Sequence, residues 1–247
     1  MPAEPTALSA RAQLRAVAER ASRGQGGDEF APLFSVPAPT DSRRASVLLL
    51  FGVLDGLPAG HDAHDLAVSR DLDVLLLARA STLRAHPGQV AFPGGRVDPD
   101  DEGPIAAALR EAREETGLDP EGVEVLGTLE TLPLVFSRHL VTPVLGWWRS
   151  PSPVRVVDEG ESADVFRAPV ADLLNPANRG VTVLYRDGEE FRGPGFLVPH
   201  AGGEYIVWGF TAMVLDGLFT RLGWTEPWDD QRRLPLVVPD PDSAATR

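Results

Sequence analysis

The chain has 247 residues, a formal net charge of −13, 43% hydrophobic residues and no cysteine. That length suits one large domain, or one domain with additions, and can bury a sizeable core. The acidic balance excludes a general nucleic-acid binder, which needs a basic surface, and the missing cysteines exclude disulfides, thiolate catalysis and cysteine-zinc sites.

Residues 7–22 (ALSARAQLRAVAERAS) are rich in Ala, Leu, Arg and Glu and predict a helix. Gly, Pro and Ser punctuate 23–44, which reads as loop. SVLLLFGVL at 46–54 and DVLLLARA at 73–80 are short apolar runs bounded by turn residues, as buried strands are. Neither is long enough for a membrane span. The segment between them reads as a surface loop. A Gly-Gly turn at 94–95 leads to a helix at about 104–116, with Pro104 in its first turn and Gly117 as its stop. Further strands are expected near 123–132, 140–148, 181–186 and 204–209, and helices at 168–174 and 210–221. The tail at 236–247 is rich in Pro, Asp and Ser and reads as disordered. Strands and helices interleave without strict alternation, so the expected fold class is α/β (α+β), a mixed β-sheet sandwiched between helices. The first 20 residues carry Glu4 and Glu19 and no apolar core, so they do not read as a signal peptide, and the cytoplasm is the expected compartment.

The helix at 104–116 carries the chemistry. Ile105, Leu109 and Ala112 fall on one stripe expected to pack on the core. Glu111 and Glu115 are four apart and Glu111 and Glu114 three apart, so the carboxylates share another side. Alone, such a group reads first as a solvated charged face paired with Arg110 and Arg113. Behind a Gly-Gly turn, which lets backbone approach a ligand, it suits a hard divalent cation with oxygen ligands.

This stretch, FPGGRVDPDDEGPIAAALREAREETGL, resembles the box of the Nudix hydrolases, G-x5-E-x7-R-E-U-x-E-E-x-G-U, where U is a bulky apolar residue. Gly95, Arg110, Glu111, Glu114, Glu115, Gly117 and Leu118 match, Ala112 is small for its U place, and the first box glutamate falls on Glu102 with one extra loop residue before it. The resemblance implies a Nudix domain at 45–235, with 1–44 as an N-terminal extension and 236–247 as a tail. It implies hydrolysis of a phosphoanhydride with Mg2+ or Mn2+ held by Glu111 and Glu115, assisted by Glu114 and the Gly94 carbonyl. Arg110 would hold the helix carboxylates.

The residues ahead of the box, LLLARASTLRAHPGQVAFPGG at 75–95, are similar to the signature of the coenzyme A pyrophosphatase branch. Leu77 and Arg79 depart from it, where the pattern has threonines. VTPVLG at 141–146, VWGFTA at 207–212 and the course of 159–176, acidic residues before an apolar strand and a short helix, also look like this branch. The implied reaction cleaves coenzyme A or a derivative to 4′-phosphopantetheine and adenosine 3′,5′-bisphosphate. ADP-ribose, NADH or another nucleoside diphosphate derivative is the alternative substrate, and a non-catalytic binding module the more distant reading. The implied partner is thus a small-molecule diphosphate, with no nucleic acid and no membrane; a homodimer fits the family. Arg84 is the expected phosphate contact, and His86, Gly94 and Gly95 the other substrate-side residues. Glu161 is the loop candidate for general base, with Glu159 and Glu111 as alternatives. Trp208 and Phe210 read as core or as lining for the substrate arm. Adjacent Trp147 and Trp148 face opposite sides of a strand, leaving one exposed or covered by a partner, and Trp224 and Trp228 suit an interface.

Overall fold

The structure is a computed structural model that describes residues 9–30, 39–53, 58–80, 88–134, 137–186, 188–200 and 203–236. Arg84, His86 and the tail from 237 onward therefore lie outside the described residues.

An eight-stranded mixed sheet forms the centre. Strand β1 (Arg43–Val53) pairs antiparallel with β2 (Leu72–Arg79) and parallel with β7 (His139–Trp148). Beyond β7 lies β5 (Val123–Thr128), antiparallel. Strand β2 also pairs with β3 (Val90–Ala91) and β8 (Ser162–Pro169). Two three-residue strands complete the sheet, β4 (Gly94–Arg96) on β1 and β6 (Leu132–Leu134) on β7. Leu72 to Ala78 are all buried, so β2 is apolar at every position but Asp73 because both faces are covered.

Helix α1 (Ala10–Ser22) lies on one face, with Ser9 capping its N-terminus by accepting from the Ala12 amide. Its Leu14, Val17 and Ala18 join the main core with α3 (Val170–Leu174) and α4 (Gly209–Leu222). The same core takes in a second sheet, the antiparallel meander β9 (Arg179–Arg186), β10 (Glu189–His200) and β11 (Gly203–Val207). Helix α2 (Pro104–Thr116) covers the other face, Ala108 and Ala112 packing on Leu48, Leu50 and Leu75. The fold is the expected mixed sheet with helices on both faces.

Several local expectations change. Strand β10 lies where none was expected, and the run at 123–132 divides into β5 and β6. The strand expected at 204–209 ends at Val207, because Trp208 caps α4 and Gly209 begins it at a φ of 63°. Ile105 is 38% exposed, so the later turns of α2 carry its packing, through Ala108, Ala112 and Thr116. Trp148 is buried on the α2 side and Trp147 packs on the main core, so neither awaits a partner. Trp224, 1% exposed, is core and not interface.

Candidate active site

The acidic helix meets the Gly-Gly turn because both pack on β1. In the β1–β4 ladder Val47 stands opposite Gly94 and Ser46 opposite Gly95. A Cβ on Gly94 would collide with the backbone of Ser46 and Val47, and one on Gly95 with the Glu111 carboxylate. Glycine at both positions thus allows two close approaches at once, strand to strand and carboxylate to turn.

Glu115 Oε2 accepts from the Gly94 amide at 2.9 Å. Burial pushes its carboxyl up to about 7, and the negative charges of Glu111 and Glu161 add to the rise; the Gly94 N–H and Arg79 pull it back. Glu111 is likewise shifted upward by burial, opposed by Arg110 and reinforced by Glu114 and Asp98. Two carboxylates destabilised in their charged form, beside a backbone turn, form a site short of positive charge. Its donors are all oxygens, so the residues fit a hard divalent cation.

Glu114 stands apart. It is 59% exposed and accepts from Arg110 Nη1 at 3.1 Å. Among the described residues no three His, Asp or Glu side chains are arranged as they stand to hold a metal ion. The three helix glutamates are therefore two against the turn and one outside it.

Arg110 is the knot of the site. Its Nε and Nη2 donate to Asp101 Oδ1 and Oδ2, both at 3.0 Å, and Nη2 also donates to the Arg96 carbonyl at 3.0 Å. Nη1 lies 3.2 Å from Glu111 Oε1. Asp101 is fixed in turn by the Asp98 amide at 2.8 Å. The Arg110 hydrogen bonds hold the Asp101 carboxyl below the usual range, and the guanidinium is shifted upward by the same contact. Counting along the box pointed to Glu102; the residue that meets Arg110 is Asp101, one place earlier.

Glu161 sits in the turn before β8, its carbonyl accepting from the Ala80 amide at 2.9 Å. Its charge acts on Glu115, which brings it into electrostatic reach of the site. Arg79, at the end of β2, acts on the same carboxylate and has a buried Nε without a hydrogen-bond partner. The sequence signalled it only as a departure from a threonine. Phe210 is half-buried against the main core, and half-buried Trp208 caps α4. The Gly94 contact is made by its amide; its carbonyl stays a candidate ligand.

A NUDIX domain model matches residues 61–186, just over half of the chain. The uncharacterized Nudix hydrolase NudL of Cronobacter sakazakii is 41% identical over 150 residues, covering 61% of this chain and 75% of that protein. The protein of the same name from Escherichia coli K12 has the same identity and coverage. The solved Nudix hydrolase RenU of M. smegmatis is 26% identical, over 52% of this chain and 71% of its own, with a TM-score of 0.39.

Proposed function

As the chain belongs to the Nudix hydrolase family, we propose that it cleaves the pyrophosphate of coenzyme A or a derivative, releasing 4′-phosphopantetheine and adenosine 3′,5′-bisphosphate. The observation that carries this reading is where the described parts of 75–95, residues 75–80 and 88–95, stand. That segment enters as β2 and leaves as β4, and both ends reach the same carboxylate: Arg79 by its charge and Gly94 by its amide. Two residues of a stretch similar to a coenzyme A signature thus act on one carboxylate of the acidic helix, which supports the reading.

Glu111 and Glu115 would hold Mg2+ or Mn2+, with Glu114 and the Gly94 carbonyl assisting. When bound, the cations screen the diphosphate and supply Lewis acidity for attack by water. The chain's own residues do the rest. Arg110 keeps Glu111 against the turn, and the Gly94 amide fixes Glu115. Glu161 takes the proton of the attacking water. Arg84 meets a phosphate of the substrate, where a guanidinium matches the geometry. Cations are also what lets a chain of net charge −13 accept an anionic substrate.

The test is hydrolysis of coenzyme A beside ADP-ribose and NADH, with magnesium and then with EDTA, the products resolved by mass. Magnesium-dependent 4′-phosphopantetheine is the expected result. Cleavage of ADP-ribose or NADH alone would keep the hydrolase and remove the substrate. No cleavage of any of the three would favour a binding module.

A further inference from the structure

The start of β1 carries a basic patch that the acidic chain as a whole does not. Successive residues of a strand point to opposite faces, and residues opposite each other share one. Val47, Leu49 and Phe51 pack on the main core, so Arg43, in step with them, stands on the face away from α2. His139 on β7 is opposite Arg43, and Arg96 on β4 is opposite Ala45. Gly95 faces Glu111 on α2, so Arg96, the next residue, turns to the other face. Arg43, Arg96 and His139 therefore share one face at the end of the sheet. Both arginines are exposed, and half-buried His139 has its Nδ1 3.2 Å from Ser137 Oγ. Among the described residues neither arginine side chain makes an ion pair. The carboxylates nearest in sequence are engaged elsewhere, Asp41 with Arg138 at 2.8 Å and Asp98 with Arg110 at 3.6 Å. Like charges on neighbouring strands repel, so the patch is built to receive an anion from outside.

We propose that Arg43, Arg96 and His139 hold the 3′-phosphate of the substrate, a phosphate monoester. The inference rests on the coenzyme A reading and concerns the one phosphate that ADP-ribose and NADH lack. Its position follows from Arg96, whose backbone belongs to the α2 site and whose side chain leaves it. The Arg96 carbonyl accepts from Arg110 Nη2 at 3.0 Å, directly after the glycine that faces Glu111. Among the described residues β4 pairs with β1 alone, so a ligand can pass round its outer edge from one face to the other. The 3′-phosphate and the diphosphate hang from the same ribose, so their sites must be neighbours, as this patch and the α2 carboxylates are. Arg43 and Arg96 occupy diagonal places on adjoining strands, whose backbones are roughly 7–8 Å apart at such positions. Two guanidinium forks at that spacing can close on one phosphate from two sides. His139 Nε2, whose ring partner Nδ1 is engaged by Ser137, adds a third contact. Arg44 points to the opposite face of the same strand and takes no part.

The experiment compares coenzyme A with dephospho-coenzyme A, which differs only by the 3′-phosphate, as substrates of the full chain with magnesium. The parent is expected to prefer coenzyme A by about 10- to 100-fold in kcat/KM, the scale of hydrogen bonds to a charged group. Arg43→Gln and Arg96→Gln should bring that preference down toward parity, through a higher KM for coenzyme A. Arg44→Gln, the control on the other face, should keep it. Calorimetry reads the patch without turnover, with adenosine 3′,5′-bisphosphate against adenosine 5′-monophosphate. The parent should bind the bisphosphate more tightly by a similar factor, and Arg43→Gln should bind the two alike. Equal handling of both pairs by the parent, or a preference that Arg43→Gln and Arg96→Gln retain, would overturn the subsite even if coenzyme A is cleaved. No cleavage of either substrate, with the bisphosphate preference present and lost in Arg43→Gln, would uphold the subsite and overturn the coenzyme A reaction instead.

Discussion

The two faces of the eight-stranded sheet are built differently. On the face away from α2, the core joins three helices and a second sheet through large side chains such as Leu14, Phe196, Leu218 and Phe219. Each such residue stabilises the fold by roughly 1.5–3 kcal/mol when fully buried. On the other face α2 touches the sheet through Ala108 and Ala112. Alanines contribute little burial, but they bring the helix backbone close to β1. That closeness lets Glu111 and Glu115 reach a turn only glycines allow. One face carries the larger core; the other exchanges large helix side chains for close approach and buried charge to assemble a site.

Substitutions on the two faces should therefore separate activity from stability. Glu115→Gln is expected to lower turnover by about 10³-fold or more, the scale of a lost electrostatic element of an active site, while melting no lower than the parent. A variant that keeps most of its rate would remove Glu115 from the proposed machinery. Leu218→Ala is the reciprocal probe. It is fully buried, and its loss should cost about 2–5 kcal/mol of stability. Turnover per folded molecule should be unchanged; chemical denaturation beside a rate assay would read both. Loss of rate with full folding would mean that the large core also shapes the site.

A third probe asks whether buried charge is confined to the α2 pocket. Asp73 on β2 is 5% exposed, and its Oδ1 has no hydrogen-bond partner. Burial pushes its carboxyl from 3.8 up to about 7, opposed by Arg167 and reinforced by Asp71 and Asp172. The folded-state value lies above the unfolded one, so the fold favours the neutral acid. Its contribution to stability is complete below about pH 4 and is lost as pH rises through about 7. Asp73→Asn, neutral throughout, should match the parent at acid pH and gain roughly 1–3 kcal/mol by pH 8. Melting curves at several pH values would show a widening difference; a constant one would place the ionised carboxylate in a site that tolerates it.

The legible parts of the sequence are those with a local signal. Helix α2 announces itself through its proline start, glycine stop and carboxylate spacing, and β1 and β2 through the apolar runs VLLLF and VLLLA. Strand β10 was hidden because EEFRGPGFLVPH contains two glycines and two prolines, which read as breakers. Its pairing with β9 and β11 overrides that preference. Arg79 stood where the signature is written with a threonine, and nothing in β2 says which carboxylate it faces. The meeting of His61 with Glu226 joins a surface loop to the segment that follows α4, and no periodicity reports such a contact.

The smallest expected effect tests how the site absorbs its extra loop residue. Spacing alone aligns Glu102 with the box, yet a turn can take up one residue by shifting which side chain points inward. Here Asp98 and Asp101 close on each other, the Asp101 amide donating to the Asp98 carbonyl at 3.1 Å, and Asp101 then grips Arg110 through two hydrogen bonds. Glu102 makes no ion pair among the described residues. Asp101→Asn keeps the shape but loses the charge-assisted fork, which should loosen Arg110 and, through it, Glu111. About a tenfold loss in turnover and weaker Mn2+ binding are expected, the scale of an outer partner of a metal site. Glu102→Gln should change neither. If Glu102→Gln were the damaging variant, the counted alignment would be right and the Asp101 fork incidental. If neither mattered, Arg110 would be held well enough by the Arg96 carbonyl and Glu114 alone.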